Sequence, residues 1–291
     1  MTNEEKLAQA MGVPSSIEQV TIGAYQINYL VAGAGSPLLL IHGANIGWGM
    51  WYTTIAALSK QFKVYAIDLP GSGGSTKIDF ARADLEKDYV DVVEEFIRGK
   101  ELAPVAIVGH SFGGWIALRL VMRAAVPVSK VVLVNSLGFT RFLRAHHRLA
   151  SIRPLAHFLT KTALSPTREH MRSFLAEPFF DKAFLTDIFF NYFYEGVHRF
   201  ALAHPLLFIH SLSSLFRLKR ELDLSATLGS VIQPVLIMWG EHDKTVPLRR
   251  SALMFHRFRN AAVEIFKDCG HVPPLEKGEL FTAKLRAFLN S

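Results

Sequence analysis

Short apolar runs, separated by turns and by stretches of helical spacing, set the rhythm of the first half of the chain. Residues 38–41, 64–67, 105–108 and 131–134 are unbroken runs of Leu, Ile, Val and similar side chains. Such runs predict parallel strands covered by helices on both faces. Residues 17–22 and 25–31, split by Gly23, predict a hairpin at one sheet edge. Between the runs, residues 51–58, 85–97 and 115–123 have the length and apolar spacing of crossover helices. The order is βαβαβ, for which right-handed crossovers are the default. The pattern resumes with strands over 234–239 and 263–266 and a closing helix over 279–289. The fold class is therefore α/β, with a mostly parallel central sheet flanked by helices.

The 98 residues of 136–233 are too many for an ordinary crossover. They predict an inserted helical cap, and residues 1–135 and 234–291 the core. Within the insertion, Phe184, Ile188 and Tyr192 recur every four residues, as do Leu185, Phe189 and Phe193, which gives a wide apolar helical face. Thirteen of the 22 phenylalanines fall between Gly138 and Ser225, so the cap surface is expected to be aromatic.

Half of the 291 residues are hydrophobic and 20% are charged, which excludes disorder and provides for a large core. Mean hydropathy is +0.22. The charge-free run between Arg199 and Arg217 has 17 residues and is broken by His204, Pro205 and His210, so it is too short and too polar to span a bilayer. Cys269 is the single cysteine, which removes disulfides and thiolate zinc clusters. Glu4, Glu5 and Lys6 stand where a signal peptide needs apolar residues, so the expected location is cytoplasmic.

Net charge is +7, with a local +5 (twelve basic and seven acidic residues) between Gly138 and Ser225. No nucleic-acid motif accompanies it, so no nucleic-acid partner is expected. Arg141, Arg144 and Arg148 would share one helical face opposite Phe142, Ala145, Leu149 and Ile152. That spacing predicts a cap helix with a solvated basic top, and a weak membrane-surface contact is its alternative.

The chemistry begins at Gly109-His110-Ser111-Phe112-Gly113, which lies between the 105–108 strand and the 115–123 helix and matches G-x-S-x-G in strand–turn–helix context. A serine on a tight turn projects its hydroxyl outward, and the helix start behind it favours a developing oxyanion. A serine nucleophile needs a general base, and the base an orienting acid. Asp243 follows the 234–239 strand and His271 follows the 263–266 strand. Glu241 competes for the acid role, while Asn135 stands at the other strand end where an acid could sit. Cys269 reads as a small buried side chain, and His146 and His147 as solvent-exposed, because no ligand spacing surrounds them.

On these motifs, together with His42-Gly43, the Asp68-Leu69-Pro70-Gly71-Ser72-Gly73-Gly74-Ser75 turn and Gly270-His271-x-Pro273-x-x-Glu276, the chain resembles the α/β-hydrolase superfamily, specifically its cap-bearing, cofactor-free members. The resemblance implies Ser111, His271 and Asp243 as catalytic residues, backbone N–H groups of Ala44 and Phe112 as the oxyanion hole, and no cofactor or metal. His110, His42 and Asp68 would steady the turns around the serine. Asn45, Trp48, His110, Phe139, Phe189 and Phe193 are the candidate substrate-lining residues. For Trp48, as for Trp51, core packing is an equal reading.

The implied activity is hydrolysis of a small apolar carboxylic ester. Carbon–carbon hydrolases of ring-cleavage products are the nearest alternative, although Ala44-Asn45-Ile46-Gly47 replaces the glycine-rich run such enzymes usually carry. A haloperoxidase-like side activity and a small-molecule receptor on the same fold are the others. Dehalogenases and epoxide hydrolases resemble the scaffold but place aspartate where Ser111 stands.

Overall fold

A computed structural model describes residues 1–80, 82–148, 152, 167–198, 205–214 and 216–291. Its strands are β1 (Ser15–Ile22), β2 (Tyr25–Ala32), β3 (Ser36–Ile41), β4 (Phe62–Ile67), β5 (Val105–His110), β6 (Val128–Val134), the two-residue β7 (Ser213–Ser214) and β8 (Arg217–Leu218), β9 (Val235–Gly240) and β10 (Ala261–Phe266). Eight of them form one sheet in the order β1-β2-β4-β3-β5-β6-β9-β10. The β1–β2 hairpin and the β2–β4 pair are antiparallel, and the remaining pairs are parallel.

Along each central strand the side chains alternate between two cores. Leu39, Ile41, Ile107, Val131, Leu133 and Ile237 face one, while Leu38, Leu40, Val108, Val132, Val134 and Leu236 face the other. This period of two makes the runs continuously apolar, since helices cover both faces. The main helices are α1 (Asn3–Ala10), α2 (Tyr52–Leu58), α3 (Val92–Gly99), α4 (Phe112–Arg123), α5 (Arg168–Ala176), α6 (Asp187–His198), α7 (Pro205–Leu212) and α8 (Gly278–Asn290). At the edge of the sheet β10 has a single neighbour, and its Val263 and Ile265 are exposed.

Helices α5, α6 and α7 and the β7–β8 ribbon lie in the chain between β6 and β9. The apolar face expected over 184–193 belongs to α6, which starts only at Asp187. Phe184 closes a preceding 3-10 turn whose start is capped by Asp181. Leu185, Phe189 and Phe193 are buried.

Helix α1 is not among the expected elements. It has little apolar periodicity, with Leu7 and Ala8 as its buried residues. A capping box begins it: the Thr2 side chain accepts from Glu5 N–H, and the Glu5 carboxylate from Thr2 N–H. The helix packs on α6, where the Glu195 carboxylate accepts the Asn3 N–H at 3.0 Å. No helix among the described residues is long and apolar enough to cross a membrane.

Candidate active site

Ser111 sits between β5 and α4 with φ 51° and ψ −114°, a strained backbone for a residue with a Cβ. Its neighbours allow the turn by being small. A Cβ on Gly109 would overlap the Gly113 carbonyl oxygen, and one on Gly113 would overlap that of Ile41. The turn is fixed to the sheet through Ser111 N–H donating to Val134 O at 2.9 Å, and Leu137 N–H donates to Ser111 O at 3.0 Å.

Behind the serine, His271 Nδ1 and Asp243 Oδ2 are 2.7 Å apart. A carboxylate can only accept, so Nδ1 carries the hydrogen of this bond, and Nε2 is the nitrogen that can act as a base. Asp243 is 5% exposed yet well supplied with donors. Oδ1 accepts from Thr245 N–H (2.7 Å) and Val246 N–H (2.9 Å), and Oδ2 also accepts from Asn135 Nδ2 (2.6 Å). Asn135 is a site residue that sequence reasoning missed, having treated the position only as the lack of an acid. Its φ of 45° is a conformation that asparagine tolerates better than most residues.

The histidine loop has a second support. The buried Glu276 carboxylate accepts from Gly270 N–H (3.0 Å), Val272 N–H (3.1 Å) and Phe180 N–H (2.7 Å), and His271 N–H donates to Pro178 O (2.9 Å). Phe180 and Pro178 lie in the stretch between β6 and β9, so the loop is tied to that stretch as well as to the C-terminal part of the chain. Burial raises the Glu276 carboxyl above its usual value even though the three N–H groups pull it down.

His110 Nε2–H donates to the His271 carbonyl oxygen at 2.7 Å, and burial and the nearby His271 hold His110 well below the ordinary histidine value. His42 Nε2 accepts from Leu69 N–H at 2.9 Å, which places its proton on Nδ1, facing Gly43 O. Burial lowers its pKa too. Both rings are therefore neutral braces for the turns on either side of Ser111.

Asp68 closes the far end of the His42 loop. Its Oδ1 accepts from Trp48 N–H (2.7 Å), and its Oδ2 from Asn28 Nδ2 and Gly74 N–H (each 2.8 Å). Glu4 of α1 joins this cluster, accepting from Trp48 Nε1 (2.6 Å) and Asn28 Nδ2 (2.7 Å). The Tyr192 hydroxyl of α6 donates to Asp68 Oδ1. Burial, with Asp68 nearby, raises the Glu4 carboxyl.

Ser111 and His271 open onto a cavity of about 160 Å³. Gly43 and Ala44 form part of its wall, and a Cβ on Gly43 would lie 3.1 Å from that of Ser111. Phe112 opens α4, where the first N–H groups have no intrahelical acceptor. Of the candidate lining residues, Asn45, His110 and Phe193 face this cavity.

Trp48, Phe139 and Phe189 lie elsewhere. Trp48 is fully buried with its indole on Glu4, Phe139 packs edge-on to Trp239 and Phe255, and Phe189 stacks on Tyr52. Their apolar size drew them into the core. Phe142, Phe174, Leu175 and Ile209 supply wall area in their place.

The basic helix face is also redrawn. Residues 141–144 are not helical, and helical structure begins at Ala145, with Ala145–Arg148 its described part. Arg144 reaches Glu177 at 2.8 Å on the cavity wall, while Arg141 Nε donates to Leu218 O. Leu149 lies outside the described residues, and Ile152 is exposed. His147, expected in solvent, is 9% exposed and lines the cavity. Cys269 is buried, and burial pushes its thiol up.

A family model described as "Alpha/beta hydrolase family" matches residues 38–284. The 2-hydroxymuconate semialdehyde hydrolase of a Pseudomonas sp. is 26% identical over 287 residues, spanning 95% of this chain and 94% of that protein. The pimeloyl-[acyl-carrier protein] methyl ester esterase of Aliivibrio fischeri is 25% identical over 260 residues, 89% of this chain and 95% of that protein. Among solved structures, a meta-cleavage product hydrolase from Pseudomonas fluorescens superposes with a TM-score of 0.75 at 25% identity, over 94% of this chain and 97% of that one. A bacterial membrane phospholipase A shares the fold, with a TM-score of 0.81 at 23% identity over 99% of this chain and 89% of that one.

Proposed function

This chain belongs to the alpha/beta hydrolase family, and on that premise we propose that it is a serine hydrolase that cleaves an apolar carboxylic ester through an acyl-enzyme. The observation that carries the reading is the His271–Asp243 bond of 2.7 Å beside a strained Ser111, both histidine and serine opening on one mainly apolar cavity.

His271 Nε2 takes the Ser111 hydroxyl proton as Oγ attacks the ester carbonyl carbon, and the C=O electron pair moves to oxygen. Backbone N–H groups of Ala44 and Phe112 stabilise that oxyanion. The tetrahedral intermediate collapses, His271 gives its proton to the departing alkoxide, and the acyl group stays on Ser111. Water, deprotonated by the same ring, then releases the acid. Asp243 holds the ring in the required tautomer and stabilises the imidazolium that forms at each step. Asn135, Thr245 and Val246 hold Asp243, and Glu276 holds the loop. The helices between β6 and β9 act as a cap whose Phe193 and Phe174 shape the acyl pocket.

The test is steady-state hydrolysis of p-nitrophenyl esters from acetate to decanoate, with Ser111→Ala beside wild type. Rapid turnover that the variant abolishes is the expected result, and an inert wild type overturns the reading. Cleavage of a carbon–carbon bond in a ring-cleavage diketone is the second reading, favoured by the likeness to 2-hydroxymuconate semialdehyde hydrolase. A wild type inert toward esters but active on such a diketone would select it.

A further inference from the structure

The segment after β6 borders two cavities. Besides the Ser111 cavity, Phe142 and Leu143 line a second one of about 390 Å³, whose wall carries Arg141, Arg148, Arg217 and Arg250. These arginines come from distant parts of the chain: the start of the insertion, β8 near its end, and the helical turn Leu248–Ser251 that follows β9. Asp223 is the one carboxylate among the lining residues, and its Oδ1 accepts Ser225 N–H at 3.1 Å. Among the described lining residues, four positive charges therefore meet one negative.

Three of the guanidinium groups are also oriented. Arg141 Nε donates to Leu218 O at 2.9 Å, Arg148 Nε donates to Leu143 O at 3.2 Å, and the Arg250 guanidinium lies over the Phe142 ring at 4.7 Å. With its Nε engaged, Arg141 presents its terminal nitrogens as a planar fork that matches the oxygens of a tetrahedral anion. Like charges drawn together repel, and an anion between them reverses the sign of that energy.

We propose that this arginine cavity binds a phosphate monoester or diester. The site is distinct from the Ser111 cavity and shares its Phe142–Leu143 wall. The same chemistry is offered by soluble phosphate compounds and by lipid headgroups. The proposal does not rest on the ester reading, because binding is measured without turnover.

The test is titration of the full chain with inorganic phosphate and with phenyl phosphate by calorimetry, and with phosphatidylcholine vesicles with and without phosphatidic acid by co-sedimentation. Wild type is compared with the double variants Arg217→Ala/Arg250→Ala and Arg217→Lys/Arg250→Lys, each checked for an unchanged melting temperature. If the alanine pair is unstable, the lysine pair carries the comparison, since it keeps charge and loses the forks. Saturable binding weakened about tenfold or more by the alanine pair, and partly restored by lysine, is expected. Binding of the small phosphates identifies a soluble source, and arginine-dependent binding only to phosphatidic acid vesicles identifies a lipid one. The proposal is overturned if no probe binds saturably, or if variants in which both arginines are replaced bind as tightly as wild type.

Discussion

Removing the Glu276 carboxylate is expected to destabilise the protein and slow it at the same time. In Glu276→Ala, the N–H groups of Gly270, Val272 and Phe180 lose an acceptor now 2.7 to 3.1 Å away, in a place where Glu276 itself is 2% exposed. Each stranded buried N–H costs roughly 1–3 kcal/mol. The loss is offset in part, because burial already disfavours the ionised carboxylate. A net of about 4 kcal/mol follows, or a melting temperature lower by roughly 10 °C for a chain of this size.

The kinetic effect comes through position. Gly270 and Val272 flank His271, so freeing both lets the ring drift from Ser111, and kcat should fall about tenfold with little change in KM. Thermal unfolding by circular dichroism and ester hydrolysis at 25 °C read the two effects. A variant that melts within about 2 °C of wild type and keeps its kcat would refute the reasoning, since three unsatisfied buried donors should shift the transition by far more.

Three further outcomes follow from the same network. In Asn135→Ala, Asp243 loses one of its four donors and kcat should fall about tenfold at unchanged KM, whereas an unchanged kcat would leave Asn135 with no positioning role. In Glu4→Ala, Trp48 Nε1 and Asn28 Nδ2 lose their acceptor at a cost of about 2 kcal/mol in urea unfolding, and Glu4→Gln, which keeps an amide oxygen there, should recover most of it; equal losses in the two would contradict this. His110 is held neutral in the fold while an unfolded histidine protonates near pH 6.5, so the unfolded state gains the proton and stability falls as pH drops. Between pH 7.5 and 5.5 that amounts to about 1.4 kcal/mol, read as a drop in the urea midpoint that is smaller in His110→Asn; identical slopes would contradict it.

The core sheet was legible because parallel strands covered on both faces must be continuously apolar, and the runs at 38–41, 105–108 and 131–134 are. Ser111, Asp243 and His271 were legible because each sits on a turn at a strand end, where short motifs set the local geometry. The cavity wall was less so. Phe139, Phe189 and Phe193 look alike in sequence, and only packing decides that Phe193 meets the cavity while the other two fill the interior. Arg141, Arg217 and Arg250 converge through tertiary contacts that no local pattern announces. Helix α1 was missed for a different reason. It is fastened by Glu4 and Asn3 to Trp48, Asn28 and Glu195, polar contacts that leave no apolar stripe. The Thr2–Glu5 capping box was its one sequence signal.

The central claim, that Ser111 forms a covalent acyl-enzyme with His271 as its base, is tested most directly by titration with a p-nitrophenyl alkylphosphonate followed by peptide mass spectrometry. The account predicts one equivalent of p-nitrophenol per chain, the phosphonyl mass on the peptide containing Ser111, no label in Ser111→Ala and strongly slowed labelling in His271→Ala. A label on another residue, or release that persists in Ser111→Ala, would contradict it.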